Sequence, residues 1–441
     1  MATQVNLSRS PYYVKIVPDG TGTVESSTTQ VWIYSGNNLP LPSQPTYTLV
    51  KKPIGTSNVI VLEFAQLVND YVKVVYDGTY STDTVWLYWS TQFFDDTGTQ
   101  IGSLITASDY YPFAKGYGFF NEGVNPYMVT KTNQSAVLSQ EIASAYASDN
   151  LSINVPQSEP ITIPLIITFS KQLDIKYFYG TYQEALNGEK IMKSESLDNV
   201  GTSNTSKYIQ YSNNLNPTIS PQSERVWDDL VKVQWDGQLE TVADNPTRSV
   251  FWCPYNKRPT TFVSIKDPSI VGNASIKWIK VNYLRKDKFE PYKITFINRY
   301  GVLEDFWMMG SKKEVLSVTG DSFMRNLINI PTTTFATDTV SYNTDAHQFV
   351  TFGEQGKTEI KLTTGWIDES NNEILKQLFL SQKIWLTEYQ TNEEIDAGVS
   401  PKIEPVILKS KNLNYKTHLQ DKVINYEVNF QYAYEEINQV Y

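Results

Sequence analysis

The feature that most constrains this chain is the constant return of short runs rich in aromatic and β-branched residues, each soon closed by Gly, Pro, Asn or Asp. In the first hundred residues such runs lie at Tyr12–Val17, Val31–Tyr34, Thr46–Val50, Val59–Phe64, Tyr71–Tyr76 and Thr84–Trp89. Turn chemistry separates them at Asp19-Gly20, Gly36-Asn37-Asn38, Gly55 and Asp77-Gly78. A chain punctuated this often cannot build long helices, so the expected fold class is mainly β. Short strands at spacings of about 10 to 15 residues predict an Ig-like or fibronectin-like β-sandwich over residues 8–115.

Composition supports the same class. Aromatics make up 13% of the 441 residues and charged side chains only 19%, which suits strands and turns and argues against disorder. A chain of this length predicts two to four domains. Residues 116–340 read as a β-rich middle region with long polar loops, of one or two domains. Asn133 to Asn150 is expected as a short helix or an exposed loop, and Ser194 to Ser223 as a surface loop or arm. Clear strands are expected at Ile161–Phe169, Ile175–Tyr179, Val231–Trp235, Ser249–Cys253, Ser275–Leu284, Tyr292–Ile297 and Leu303–Met308, the last two joined by the turn Asn298-Arg299-Tyr300-Gly301.

Residues 341–441 carry the sharpest pattern and read as a C-terminal β-domain with one flanking short helix. Lys357–Trp366 is a strand, and Ser370-Asn-Asn-Glu373 matches a capping box. Ile374, Leu375, Leu378 and Phe379 then share one helical face. Strands are expected at Lys383–Glu388 and Pro405–Lys409. The final run, Lys422–Glu435, alternates so that Ile424, Tyr426, Val428 and Phe430 form one apolar face over a length beyond the usual 5–6 residues. A long, half-exposed last strand would let a sheet continue into a neighbouring subunit, which makes these four residues the expected assembly face.

Chemistry-bearing groups are sparse. The balance of 37 basic against 47 acidic residues gives a net charge of −10, the wrong sign for a generic nucleic-acid binder, so no sequence-specific nucleic acid is expected as partner. The single cysteine, Cys253, excludes an internal disulfide and a cysteine-based zinc site, and reads as a buried small hydrophobe. The two histidines, His347 and His418, sit in no hydrolase or metal-ligand spacing. Acidic pairs at Asp95-Asp96, Asp228-Asp229, Glu304-Asp305, Asp368-Glu369 and Glu435-Glu436 read as solvated turns and strand ends rather than a glycosidase pair. Gly116-Tyr-Gly118 lacks the strand and helix context of a phosphate loop. The expectation is a non-enzymatic protein with no cofactor, no metal and no catalytic residue. The first thirty residues hold no continuous apolar segment, and the strongest apolar run, Ile161 to Phe169, has strand length, so neither secretion nor membrane insertion is expected.

Exposed aromatics are the remaining candidates. In Val85-Trp86-Leu87-Tyr88-Trp89 rings point to both faces of one strand, so some are expected outside the core, with Trp86 and Trp89 as a candidate surface for glycan or protein.

Three segments together resemble the virion structural proteins of tailed bacteriophages, in particular those infecting Bacteroidota. They are Arg9-Ser10-Pro11-Tyr12-Tyr13 leading into the first strand, Phe296-Ile-Asn298-Arg-Tyr300-Gly301-Val-Leu-Glu304, and the C-terminal succession of Leu362-Thr-Thr-Gly365-Trp366, capped helix, Ile384-Trp385-Leu386, Pro405-Val-Ile-Leu408 and Ile424-Asn-Tyr426-Glu-Val428-Asn-Phe430. The resemblance implies a homo-oligomeric ring or tube in the tail, neck or baseplate, assembled in the host cytoplasm, with other virion tail or neck proteins as partners. It carries over no catalytic residue. Two rival readings are a receptor- or glycan-binding virion module that meets a host surface glycan through Trp86 and Trp89, and a β-rich glycan hydrolase using an acidic pair.

Overall fold

A computed structural model describes residues 5–35, 40–54, 58–82, 85–127, 135–140, 151–156, 161–167, 172–198, 207–212, 231–233, 239–241, 261–269, 276–284, 289–329, 341–389, 398–415 and 423–436. The fold is mostly β, with 51% strand against 9% helix, as the turn-punctuated sequence requires. The expected strand at Ser249–Cys253, with Cys253 itself, His418 and the Asp228-Asp229 pair lie outside the described residues.

The chain divides into two compact units, and neither is contiguous. One comprises residues 1–287, 295–307 and 370–382, the other residues 288–294, 308–369 and 383–441.

In the first unit, strands β1 (Asn6–Leu7), β2 (Tyr13–Ile16), β3 (Ser26–Ser35), β4 (Tyr47–Lys51) and β5 (Ile60–Glu63) precede a short helix, α1 (Ala65–Asn69). Then come β6 (Val74–Tyr76), β7 (Tyr80–Thr82), β8 (Val85–Phe94), β9 (Gln100–Thr106) and β10 (Tyr111–Ala114). The main sheet runs β1-β10-β8-β3-β4, with β9 also on β8, and β2 pairs separately with β5. Ile16, Ile60, Leu62, Phe64 and Val68 pack with Val31, Leu87, Trp89, Phe93 and Phe113 in one core, a sandwich-like arrangement. Helix α1 falls between the runs expected at Val59–Phe64 and Tyr71–Tyr76, where no helix is expected. Five residues are too few for a helical period to show in sequence.

The middle stretch holds β11 (Ser135–Ala136), β12 (Leu151–Pro156), β13 (Thr162–Ile167), β14 (Gln172–Phe178), α2 (Tyr182–Leu186), β15 (Ile191–Asp198) and β16 (Lys207–Ser212). It continues with β17 (Val231–Val233), β18 (Leu239–Thr241), β19 (Phe262–Lys266) and β20 (Ile276–Leu284). A five-stranded sheet runs β12-β20-β19-β14-β15, and a three-stranded one β11-β13-β16. The expected loop over Ser194 to Ser223 is therefore corrected. Ser194–Asp198 pairs with β14, and Lys207–Ser212 pairs with β13. Polar strands are tolerated at a sheet edge, where the backbone ladder alone holds them. In the stretch from Asn133 to Asn150, Val137, Leu138, Ser139 and Gln140 are buried rather than exposed.

Strands β21 (Tyr292–Ile297) and β22 (Leu303–Met308) flank the expected turn. Gly301 there has φ 83°, and a Cβ on it would lie 2.6 Å from the Gly116 nitrogen, so only glycine fits. In the second unit follow β23 (Lys312–Met324), β24 (Ile328–Asn329), β25 (Ser341–Tyr342), β26 (Phe349–Thr363) and β27 (Ile367–Asp368). Helix α3 (Asn372–Leu380), which returns to the first unit, is the expected C-terminal helix. The chain closes with β28 (Ile384–Thr387), β29 (Ile403–Leu408), β30 (Val423–Ile424) and β31 (Glu427–Tyr432).

The helix cap lies one residue beyond the expected Ser370. A 3-10 turn over Glu369–Asn371 leads into α3, whose cap residue is Asn371 without a side-chain cap bond. The Asn371 amide oxygen instead accepts from Asn154 Nδ2 at 2.9 Å, and the Glu373 carboxylate pairs with Lys376. The long final strand is also corrected. It breaks at Asn425-Tyr426 into β30, which pairs with β27, and β31, which lies between β26 and β29 with both edges occupied.

Candidate assembly surface

A polar seam in the first unit is built on the β21–β22 turn. Asn298 Oδ1 accepts from the Tyr300 nitrogen at 2.9 Å, an Asx-type closure, while its Nδ2 donates to the Val137 carbonyl at 2.8 Å and to Glu304 Oε2 at 2.9 Å. The same oxygen of Glu304 accepts from the Ser139 nitrogen at 2.9 Å and hydroxyl at 2.6 Å. Gln377 of α3 completes the seam, accepting from the Arg299 nitrogen and donating to the Ser139 carbonyl, both at 2.9 Å. Burial pushes the Glu304 carboxyl up to about 7, against the pull of the Ser139 and Asn298 bonds. Glu304 thus departs from the solvated role expected of the acidic pairs. It is buried and holds the turn to the segment around Ser139. Its neighbour Asp305 accepts from Thr295 Oγ1 at 2.6 Å and from the Tyr80 hydroxyl.

Beside it the Arg299 guanidinium lies over the rings of Phe119, at 4.6 Å, and Tyr300, at 5.2 Å, and pairs with Glu122. Lys376 Nζ sits 4.1 Å from the Phe119 ring centre.

The sequence-predicted residues are placed differently from expectation. Ile424, Tyr426, Val428 and Phe430 are all buried within the chain, so the apolar face is core and not a presented surface. The alternation of the run is the same for a strand covered by its own unit as for one covered by a neighbour. Trp86 and Trp89 are also buried. Strand β8 is central, flanked by β3 on one edge and by β9 and β10 on the other, and Trp89 joins the sandwich core from one face. Neither indole offers a ring face to a sugar. Of the acidic pairs, Asp95 caps its own turn, accepting from the Thr97 hydroxyl at 2.7 Å and from the Thr99 and Thr97 nitrogens at 2.8 and 2.9 Å, bonds that hold its carboxyl below the usual range. His347 is exposed. Among the described residues no group of three or more His, Cys, Asp or Glu side chains is placed to hold a metal ion, and no helix is long and apolar enough to cross a membrane.

The surface that sequence reasoning missed is the ribbon of β23 and β26. All thirteen residues of β23 are exposed. At its base β26 pairs with β31 over Glu359–Thr363, and Ile360 and Leu362 are buried. Gly356 still accepts from the Glu436 nitrogen at 3.0 Å. Beyond that point Thr319–Met324 and Phe349–Gln355 pair with each other and with no other strand among the described residues, and the ribbon continues through Arg325, which donates to Gln348 and His347 carbonyls, to the β24–β25 pair. At about 3.4 Å per residue the seven residues from Phe349 to Gln355 alone reach roughly 24 Å.

Leu316, Val318, Phe323, Met324, Phe349 and Phe352 are each at least half exposed. Direct cross-strand partners share a face. Leu316 and Val318 therefore continue the face of Ile360 and Leu362, while Phe323 and Phe352 stack edge to face at 5.8 Å. Met324 and Phe349, paired directly, point the other way. Both faces of the ribbon are thus partly apolar. Lys312 anchors its foot. Burial works against the ammonium, but hydrogen bonds to Glu314 (2.8 Å) and Tyr292 outweigh it and raise its pKa. A two-stranded ribbon with no third layer is marginal alone, and an apolar strand edge is a template for pairing. Compared with known proteins, the chain matches no family model and no curated sequence.

Proposed function

We propose that this chain is a non-enzymatic structural subunit of a tailed-phage virion, assembling as a homo-oligomeric ring or tube in the tail, neck or baseplate. The observation that carries self-assembly is the β23–β26 ribbon, whose apolar side chains on both faces stay exposed among the described residues. Burying six such side chains against another surface would gain on the order of 1–2 kcal/mol each, enough to repay the ordering of a shared interface. The placement in a phage virion, its assembly in the host cytoplasm and its contacts with other tail or neck proteins rest on the sequence resemblance. The rival glycan-binding reading loses its expected surface, because Trp86 and Trp89 are buried.

Light scattering after size exclusion, over a concentration series, tests the reading. The expected result is a discrete oligomer that grows with concentration. Replacing Phe323, Phe349 and Phe352 together by Ser is expected to give a folded monomer with unchanged circular dichroism. A wild-type monomer at every concentration overturns self-assembly.

A further inference from the structure

We infer that the outer edge of β23 pairs with the same strand of a second copy, antiparallel and centred on Ser317. This rests on the reading of the chain as a self-assembling subunit and adds which strand joins which, and in what register.

Strand β23 ends the path of its sheet among the described residues, so its second edge carries no strand there. The bulge in its pairing with β26 falls between Thr319 and Asp321, where two steps on β23 match three on β26. The extra residue therefore belongs to β26, where Gly353 takes φ 64°, and β23 keeps strict alternation along its length. Lys313, Val315, Ser317, Thr319 and Asp321 lie on one face, and Lys312, Glu314, Leu316 and Val318 on the other.

A two-fold axis perpendicular to the sheet keeps each face on its own side. Residues set opposite each other must then share a face, which restricts the centre of the pair to a residue. Centred on Ser317, the register places Lys313 opposite Asp321, Val315 opposite Thr319 and Leu316 opposite Val318, each pair occurring twice. A shift to Leu316 would put Val318 against Glu314, and a shift to Val318 would put Val315 against Asp321. Both alternatives set a carboxylate against a branched apolar side chain and leave Lys313 without an acidic partner. Only the central register pairs opposite charges and extends the Ile360–Leu362 face with two apolar contacts.

The test uses the full chain. Lys313→Glu and Asp321→Lys, both at exposed positions, are each expected to weaken pairing roughly tenfold in sedimentation equilibrium, as attraction becomes repulsion at two sites. The double variant K313E/D321K restores opposite charges and is expected to recover the wild-type association. In a Cys253→Ser background, Ser317→Cys is expected to form a disulfide-linked dimer on mild oxidation, because opposite Cβ atoms lie about 4.5–5.5 Å apart. Lys313→Cys should not link to itself, but should link to Asp321→Cys when the two are mixed. Failure of the double variant to recover, or self-linking of K313C, overturns the register while oligomers of the wild type leave the assembly reading standing. A wild-type chain that stays monomeric removes both.

Discussion

At the scale of single residues, Glu304 shows how a buried carboxyl can serve as a structural acceptor. Its folded pKa, about 7, lies above the ordinary value of 4.5, so the folded state holds the proton more tightly than the unfolded one. Its stabilising contribution is fully present below pH 4.5, declines as pH rises through 7, and is gone above that. Glu304→Gln keeps an acceptor for Ser139 and Asn298 and removes the titration. In thermal melts, wild type is expected to lose stability relative to E304Q between about pH 5 and 8, with a constant difference above. A pH-independent difference would mean that Glu304 is not held neutral. Gly301→Ala is expected to cost about 1–3 kcal/mol in urea unfolding, since it combines a positive φ with a Cβ against the Gly116 backbone. The turn was legible in Asn298-Arg299-Tyr300-Gly301. The burial of Glu304 was not, because beside Asn298 its donors come from Ser139, 165 residues away, and no local pattern encodes that meeting.

Among elements, alternation in sequence located strands well and their surroundings poorly. The run containing Val428 and Phe430 has one apolar face, as its alternation predicts, but period two says which side is buried and not what buries it. Strand β31 is paired on both edges within its own unit, and Val428 and Phe430 are buried. Strand β23, less regular in hydrophobicity, is the one left exposed along its whole length. Stability should divide the same way. Phe430→Ala is expected to cost about 3–5 kcal/mol by opening a core cavity, whereas Phe323→Ser is expected to change stability by no more than about 0.5 kcal/mol. Chemical denaturation of the two variants under dilute conditions checks this contrast. Trp89→Ala belongs with the core class, so loss of any binding in that variant would report unfolding.

For the whole molecule, the discontinuity of the units matters more than their number. The first unit takes residues 295–307 and 370–382 from beyond its main stretch, and these supply Asn298, Glu304 and Gln377 to the seam around Ser139. A fragment ending at residue 287 lacks all three. Hydrogen exchange is expected to show the Ser139 amide, which donates to Glu304, protected in the full chain and unprotected in that fragment. Protection in both would mean that the seam contributes nothing to local order. The mainly β class was readable because turn residues set an upper limit on element length. The chain's crossings between units were not, since they depend on contacts that no window of sequence contains.

The position of β31 between β26 and β29 has a consequence for how the protein is made. Both neighbouring strands leave the ribosome before the strand that joins them, and β26 is complete some sixty residues earlier. Until β31 emerges, the nascent chain carries β26 with its inner edge unpaired, beside a ribbon whose outer edge carries no strand among the described residues. The emergence of β31 closes that gap, and the order of closure decides whether neighbouring nascent chains meet edge to edge before each has finished its own sheet.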